Sequence, residues 1–167
     1  MKLIHIVGRK NHGKTALIVE LIQELKRLGV AVGTIKHSSH VHELDTPGKD
    51  SYVHRQAGAS PAAIITEELI GFYLPRDAGV DPYAALAPMF ADCSLVLVEG
   101  HLDGAGTKIE VWRQAVGGAC FASTRRDITS VVSDDPVEVG VPVWPRSDIA
   151  ALAQQVLRTA GVVLTLR

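Results

Sequence analysis

The segment with the clearest chemistry is residues 8–15, which read GRKNHGKT and match the pattern Gly-x-x-x-x-Gly-Lys-Ser/Thr. Glycines let the backbone wrap closely round a phosphate group, so that consecutive N–H groups point at its oxygens. The lysine of this pattern neutralises charge on the β- and γ-phosphates, and the final hydroxyl binds Mg²⁺. The sequence therefore predicts a nucleoside triphosphate site in this segment.

Each part of this phosphate loop has an expected role. Lys14 is expected to contact the phosphates and to act in catalysis, and Thr15 is a predicted metal ligand. The predicted nucleotide-binding residues are Gly8, Asn11, His12, Gly13, Lys14, Thr15 and Ala16. The alternative is an ordinary glycine-containing turn, but the residue set and its placement between a strand and a helix both favour the phosphate loop.

A second candidate group is the carboxylate of Glu99, which ends the apolar run of residues 94–98. Such a run has the form of a buried strand, which delivers an acid to the sheet edge that carries the phosphate loop. Glu99 is therefore a predicted metal ligand and catalytic residue. The alternative is a solvated glutamate at the end of a strand.

Histidines in a polar loop form a weaker candidate site. They are His37, His40 and His42, with His54 further on. Loop histidines at this spacing can bind Zn²⁺ or Ni²⁺, which would suit a metallochaperone GTPase. No cysteine lies near them in the sequence, so a polar loop close to the phosphates is the favoured interpretation. Cys93 and Cys120 are isolated and are expected to be small core residues.

Selectivity for guanine usually comes from a carboxylate that accepts hydrogen bonds from the base, and the Asn-Lys-x-Asp motif that supplies it is missing here. Asp134 and Asp135 follow a predicted late strand and are the nearest candidates. A strand-end turn rich in Asp and Pro explains them equally well. The choice of base therefore stays open on these residues alone.

Composition excludes several classes of protein. A chain of 167 residues fits a single nucleotide-binding domain over residues 1–167. The formal charge of −1 provides no basic face for nucleic acid. No apolar run approaches the roughly 20 residues that a membrane span needs. Two cysteines cannot form a disulfide framework and the first residues do not resemble a signal peptide, so we expect a cytoplasmic protein.

The hydrophobic pattern predicts the elements that must position these groups. Residues 14–28 carry apolar side chains at three-and-four spacing, which makes one apolar stripe on a helix. Further helices are expected near residues 50–56, with Asp50 or Ser51 as the cap, from Asp81-Pro82 to about residue 90, and after Ser147-Asp148. Strands are expected at residues 3–7, 30–35, 62–66, 69–74, 94–99, 108–113 and 128–133. Strands that alternate with helices favour an α/β fold with a mainly parallel sheet.

Taken together, these segments resemble the molybdopterin-guanine dinucleotide biosynthesis protein B family. Besides the phosphate loop, the matching residues are Gly33-Thr34-Ile35-Lys36-His37, Pro47-Gly48-Lys49-Asp50-Ser51, Arg55, Ala57-Gly58-Ala59, Val96-Leu97-Val98-Glu99-Gly100 and Lys108-Ile109-Glu110-Val111. Their order and approximate spacing are those of the family over most of the chain. The loop itself departs from the family, because residues 9–12 are bulky and basic and Ala16 replaces a second threonine.

The resemblance implies a P-loop NTPase fold with three α/β/α layers, and GTP and Mg²⁺ as ligands. It also implies slow GTP hydrolysis, a homodimer, and an adapter role beside the guanylyltransferase that converts molybdopterin to molybdopterin guanine dinucleotide. Molybdopterin would lie at the interface that the partners share. By the pattern of related P-loop enzymes, the metal ligands would be Thr15, Asp50 and Glu99, and Asp45 is the rival to Asp50.

Two other functions stay open as alternatives. A small-molecule P-loop kinase or ligase needs an acceptor pocket and usually an arginine-bearing lid, for which Arg125 and Arg126 form the only tight arginine pair. The metallochaperone GTPase would depend on the histidine loop.

For hydrolysis, no obvious arginine finger is present in the sequence, and we hypothesise that Arg9 and Lys10 partly substitute for one. The apolar residues 69–74 fit a dimer interface or core packing.

Overall fold

The computed structural model describes residues 1–77 and 79–164. In chain order the elements are β1 (Leu3–Val7), α1 (Lys14–Arg27), β2 (Val32–Lys36), α2 (Asp50–Gln56), β3 (Ala62–Ile65), β4 (Ile70–Tyr73), α3 (Pro82–Leu86), β5 (Leu95–Glu99), β6 (Thr107–Val111), β7 (Ile128–Val132), β8 (Val143–Trp144) and α4 (Ile149–Thr159). Contacts divide the chain into two compact units, one made of Met1–Ser39 and the chain from Pro88 onward, the other of His40–Ala87. The single domain expected over residues 1–167 stays a prediction.

The first unit is built on a six-stranded sheet in the order β2-β5-β1-β6-β7-β8. Every pair of neighbouring strands within it is parallel. Parallel neighbours need crossover connections, and α1 provides the one between β1 and β2. The predicted α/β fold with a mainly parallel sheet and flanking helices is confirmed.

The apolar stripe of α1 faces the sheet as its spacing predicts. Leu17, Leu21 and Leu25 are each at most 1% exposed, and burial of a side chain of this size contributes about 1.5–3 kcal/mol. They form one hydrophobic core with the inward residues of β1 and β5 and with the apolar side of α4. The helix ends at Arg27, and Gly29, two residues further on, has a φ of +76° that lets the chain leave the helix. This core fixes α1 directly behind the phosphate loop.

Polar side chains are buried in the same strands. His5 of β1 and Lys108 and Glu110 of β6 are each at most 2% exposed. They alternate along their strands with Ile4, Ile6 and Ile109 of the hydrophobic core, so they point to the opposite face of the sheet. Strands buried on both faces are typical of a parallel sheet.

The second unit contains α2, α3 and an antiparallel hairpin of β3 and β4. Two sequence predictions need correction here. Lys49, and not Asp50 or Ser51, is the residue before the first turn of α2, and it makes no side-chain cap. The Ser51 hydroxyl instead donates a hydrogen bond of 3.0 Å to Asp45. The helix opened by Asp81-Pro82 ends at Leu86 and is followed by a 3-10 turn rather than running on to residue 90.

None of the helices in residues 1–77 and 79–164 combines the length and the apolar character that crossing a membrane requires.

Candidate functional site

The parallel sheet brings the ends of three neighbouring strands to one edge. β1 ends just before Gly8, β5 ends at Glu99 and β2 ends at Lys36. The register pairs Glu99 with both Ile6 and Lys36 across the two ladders. Ligands of open α/β sheets bind outside the carboxyl ends of the strands, so this edge is the candidate site.

The phosphate loop has the backbone conformation of a tight wrap. Gly8, Asn11 and Gly13 have φ of +139°, +68° and +94°. Asparagine is one of the few residues with a side chain that adopts such angles readily. A Cβ at Gly8 would lie 2.4 Å from the carbonyl oxygen of Val111, so glycine is required where the loop passes β6. The loop then runs directly into α1.

α1 begins at Lys14 with Gly13 as its N-cap. The first N–H groups of a helix have no partner within the helix and carry the positive end of its dipole. Lys14, Thr15 and Ala16 supply these groups at the sheet edge. A helix N-terminus behind a glycine-containing loop is a ready site for an anion such as a phosphate.

The ammonium of Lys14 lies across the phosphate loop. Its Nζ donates hydrogen bonds to the carbonyl oxygens of Gly8, at 2.8 Å, and Arg9, at 2.7 Å. Burial lowers the pKa of Lys14, the nearby carboxylate of Glu99 raises it, and Lys36 lowers it further, with a net result below the ordinary value. The charge is therefore held at the position where a phosphate would enter.

Thr15 and Glu99 face each other at the centre of the site. The Thr15 hydroxyl donates to Glu99 Oε1 at 3.0 Å. Two adjacent ligands of an octahedral Mg²⁺ with bonds of about 2.0–2.1 Å lie about 2.8–3.0 Å apart. Both groups offer the oxygen donors that Mg²⁺ prefers, so their chemistry and their spacing fit this ion.

Lys36 is a site residue that the sequence analysis did not single out. Its ammonium forms an ion pair with Glu99 Oε1. The sequence does indicate this role, because Lys36 ends the strand that neighbours the Glu99 strand, and parallel strands end at the same edge of the sheet. Glu99 therefore has both a hydroxyl and a cation beside its carboxylate.

The two remaining candidate metal ligands belong to the second unit. Asp50 is the exposed first residue of α2. Asp45 is buried, and its Oδ1 accepts hydrogen bonds from Thr46 N at 2.8 Å and Ser51 Oγ at 3.0 Å. Arg55 lies 3.6 Å from its other oxygen. Burial raises the pKa of Asp45, but the hydrogen bonds outweigh burial and lower it overall. These contacts hold Asp45 within the second unit, and the choice between Asp45 and Asp50 as a metal ligand stays a prediction.

The side chain of His12 is buried, which the sequence analysis did not predict. It is 1% exposed, and its Nδ1 accepts a hydrogen bond of 2.9 Å from the backbone N–H of Arg113. The side chain of this predicted nucleotide-binding residue therefore contacts protein. Burial is the main reason that the pKa of His12 is lowered.

Arg9 is held by residues outside the loop. Its Nε donates to the carbonyl oxygen of Ala119 at 3.2 Å. Its guanidinium carbon lies 4.6 Å from the centre of the Phe121 ring, a cation–π distance. These contacts occupy the arginine that we hypothesised as a substitute for an arginine finger.

The other candidate groups are engaged in local structure. His37 stacks on His101 with ring centres 3.9 Å apart, and His40 meets His42 edge to face at 5.8 Å. Within the described part of the chain, no group of three or more His, Cys, Asp or Glu side chains could hold a metal ion. Arg125 forms ion pairs with Asp103 and Asp127. The side chains of His37, His40, His42 and Arg125 are thus in contact with neighbouring side chains of the chain itself.

The two aspartates considered for base recognition each accept a hydrogen bond from the chain. Asp134 Oδ1 accepts from the N–H and the hydroxyl of Ser147, each at 2.9 Å, and its pKa is lowered chiefly by the N–H. Asp135 Oδ2 accepts from the N–H of Gln114 at 2.8 Å. Both carboxylates therefore stabilise loops at the end of β7, as the turn interpretation expects.

Cys120 does not have the environment of a reactive thiol. Cys120 is buried and its thiol donates to Glu110 at 2.9 Å. Burial, followed by this hydrogen bond, raises its pKa to about 12. Cys93 is half-buried against Gly33.

Comparison with known proteins gives a consistent assignment. Residues 3–134 match the family described as molybdopterin guanine dinucleotide synthesis protein B. The molybdopterin-guanine dinucleotide biosynthesis adapter protein of Escherichia coli strain K12 is 31% identical over 149 residues, which cover 87% of this chain and 85% of that protein. The protein of the same description from Haemophilus influenzae is 36% identical over 114 residues, covering 67% of this chain and 64% of that one.

Solved structures support the assignment at the level of the fold. The crystal structure of Bacillus subtilis MobB superposes with a TM-score of 0.72, at 22% identity, over 95% of this chain and 98% of that chain. The fold, the phosphate loop and the extent of the sequence match agree with one another. The chain belongs to the molybdopterin guanine dinucleotide synthesis protein B family.

Proposed function

We propose that the chain is a GTP-binding adapter protein of molybdenum cofactor biosynthesis, which assists the conversion of molybdopterin to molybdopterin guanine dinucleotide. Membership of the family supports the pathway, since the relatives from E. coli and H. influenzae are described as adapter proteins of this biosynthesis. The observation that carries nucleotide binding is the phosphate loop with Thr15 and Glu99 3.0 Å apart at its mouth. GTP as the preferred nucleotide comes from the resemblance.

The residues of the site have separate tasks in this proposal. The loop and the first turn of α1 direct N–H groups at the phosphates, and Lys14 exchanges its two loop carbonyl partners for phosphate oxygens. Thr15, Glu99 and Asp50 are the oxygen donors that would hold Mg²⁺. When bound, this ion neutralises phosphate charge. Lys36 orients the carboxylate of Glu99 through their ion pair.

Hydrolysis is expected to be slow and secondary to binding. An arginine that reaches the transferred phosphoryl group accelerates hydrolysis by about 10³–10⁵-fold. The guanidinium of Arg9 is held by Ala119 and Phe121 instead. We therefore propose a weak GTPase that serves mainly as an adapter.

Partner binding is proposed to involve the second unit. The β3–β4 hairpin exposes Ile65, Leu69 and Ile70, each at least 73% exposed. Isolated hairpins of this length are marginally stable in water, and an apolar surface of this kind is typical of an interface. We propose a homodimer formed through this hairpin. The guanylyltransferase that carries out guanylation is the proposed second partner, with molybdopterin at the shared interface. A cytoplasmic location is expected for the chain.

Equilibrium binding of GTP and ATP, with and without Mg²⁺, tests the proposal. Lys14→Ala removes the ammonium of the phosphate loop, and Lys26→Ala removes an exposed lysine from the same helix as a matched control. We expect Mg²⁺-dependent binding with a preference for GTP, at least tenfold weaker binding in Lys14→Ala, and unchanged binding in Lys26→Ala. A preference for ATP would contradict the guanylation role and favour the kinase alternative. Binding of neither nucleotide would contradict the nucleotide site itself.

A further inference from the structure

A segment beside the phosphate loop contacts the loop at two points. We call residues 112–122, which follow β6, the flanking segment. Its Arg113 N–H donates to His12 Nδ1 at 2.9 Å. Its Ala119 carbonyl oxygen accepts from Arg9 Nε at 3.2 Å. Of the two loop side chains, only that of His12 is fully buried, at 1% exposure.

The flanking segment is itself firmly attached to the sheet. Glu110 of β6 is 1% exposed and accepts hydrogen bonds from the N–H groups of Phe121 and Ala122, each at 2.8 Å, and from the Cys120 thiol. Within the segment, the Trp112 indole N–H donates to the Gly118 carbonyl oxygen at 3.0 Å. Hydrogen bonds to a buried carboxylate are among the stronger ones in proteins. The segment therefore offers a fixed support to whatever contacts it.

The backbone on either side of His12 has a conformation that surrounding contacts must stabilise. Asn11 and Gly13 both have φ in the left-handed region, at +68° and +94°. Conformations of this kind persist when the surroundings hold them. Only the fraction of molecules with the loop already in its wrapped form can bind a phosphate at full affinity.

We propose that His12 is a positioning residue for nucleotide binding, because its imidazole bridges the phosphate loop to the flanking segment and holds the loop in its wrapped form. The inference rests on the proposed nucleotide site but goes beyond it. Phosphate binding by the loop needs only backbone N–H groups and Lys14, so no side chain is required at position 12 by the phosphate chemistry itself. The bridge requires an acceptor at this position, and it requires that the acceptor reach Arg113.

The bridge also has a pH dependence. An imidazole that accepts at Nδ1 carries its proton on Nε2, and a second proton would remove the acceptor. Burial lowers the pKa of His12, and so do the charges of Lys14 and Arg9, while Glu110 acts in the opposite direction. The bridge is therefore intact at neutral pH and is lost only when the pH falls below the lowered pKa of His12.

Two substitutions at one position separate the bridge from other effects. His12→Ala removes the acceptor, whereas His12→Asn places an amide oxygen near the position of Nδ1. We expect His12→Ala to bind Mg²⁺-GTP about tenfold more weakly, which corresponds to the loss of one buried hydrogen bond. His12→Asn should recover most of this loss. As the pH is lowered from 7.5 through the lowered pKa of His12, affinity should fall more in the wild type than in His12→Asn.

Amide hydrogen exchange of residues 8–14 in the nucleotide-free protein provides a readout that does not require GTP. Exchange should be faster in His12→Ala than in the wild type and close to wild type in His12→Asn. Equal exchange in all three proteins would overturn the inference, and so would equal affinity in the wild type and His12→Ala. If the wild type binds no nucleotide while exchange still depends on the acceptor, the bridge stands and the proposed function fails.

Discussion

Replacing Gly8 by alanine tests how tightly the sheet constrains the phosphate loop. Gly8 has φ of +139°, which residues with a side chain rarely adopt, and its Cβ would lie 2.4 Å from the backbone oxygen of Val111. Because Val111 is the last residue of the buried strand β6, that oxygen cannot move without disturbing the sheet. The substitution therefore strains the loop, the strand or both.

The expected cost follows from these two effects. Placing a residue with a side chain in such a backbone conformation costs of order 1–3 kcal/mol, and inserting a methyl group where there is no space typically costs about 1–3 kcal/mol. We expect Gly8→Ala to lower the free energy of unfolding by about 3 kcal/mol. For a chain of this length, that change lowers Tm by roughly 6–12 °C.

Two other glycines serve as controls for the separate effects. Gly29 has φ of +76° but nothing within 4 Å of its Cβ position, and Gly140 has open space with no positive φ. We expect Gly29→Ala to cost about 1–2 kcal/mol and Gly140→Ala to cost nothing measurable. Urea denaturation followed by circular dichroism measures all three. If Gly8→Ala proves no less stable than Gly29→Ala, the contact with Val111 does not constrain the loop and the reasoning is refuted.

Three further predictions concern the charge states of the site and the core. Glu99→Gln should remove most of the Mg²⁺ dependence of nucleotide binding, measured by titrations with and without the ion; an unchanged dependence would exclude Glu99 as a ligand. The pKa values of His5 and His12 are both lowered chiefly by burial, so the unfolded state binds protons at a higher pH than the folded state. The free energy of unfolding should therefore decrease as the pH falls below about 6.5. Unfolding in urea at pH 7.5 and 5.5 measures this, and equal midpoints would contradict it. Alkylation should modify half-buried Cys93 before Cys120, whose pKa is about 12. Mass spectrometry of the two peptides measures this order, and modification of Cys120 first would contradict the prediction.

The sheet and the phosphate loop could be predicted because both depend on local patterns. Apolar spacing in residues 14–28 indicates a helix that packs on one side, and the apolar run before Glu99 indicates a buried parallel strand. The glycine, lysine and threonine positions of the loop follow from phosphate chemistry. Once the strands are known to be parallel, the meeting of Thr15 and Glu99 follows as well.

The side-chain partners within the site could not be predicted in the same way. The contact of His12 with Arg113 joins residues 101 positions apart in the sequence, and it depends on a loop whose path is determined by Glu110. The roles of Asp45 and Asp50 were likewise ambiguous, because two aspartates five residues apart differ only in their environment. The environment of Asp45 includes the Ser51 hydroxyl, which donates a hydrogen bond to its carboxylate.

The hydrogen bonds of Lys14 within its own loop affect the thermodynamics of binding. A free lysine side chain loses about 1.5–2 kcal/mol of conformational entropy when it is immobilised. In this protein the side chain is already ordered by two carbonyl oxygens, at 2.8 and 2.7 Å. An incoming phosphate would therefore replace the existing hydrogen bonds of Lys14 and would not have to order its side chain. A nucleotide bound at such a site would therefore require little reorganisation of this side chain.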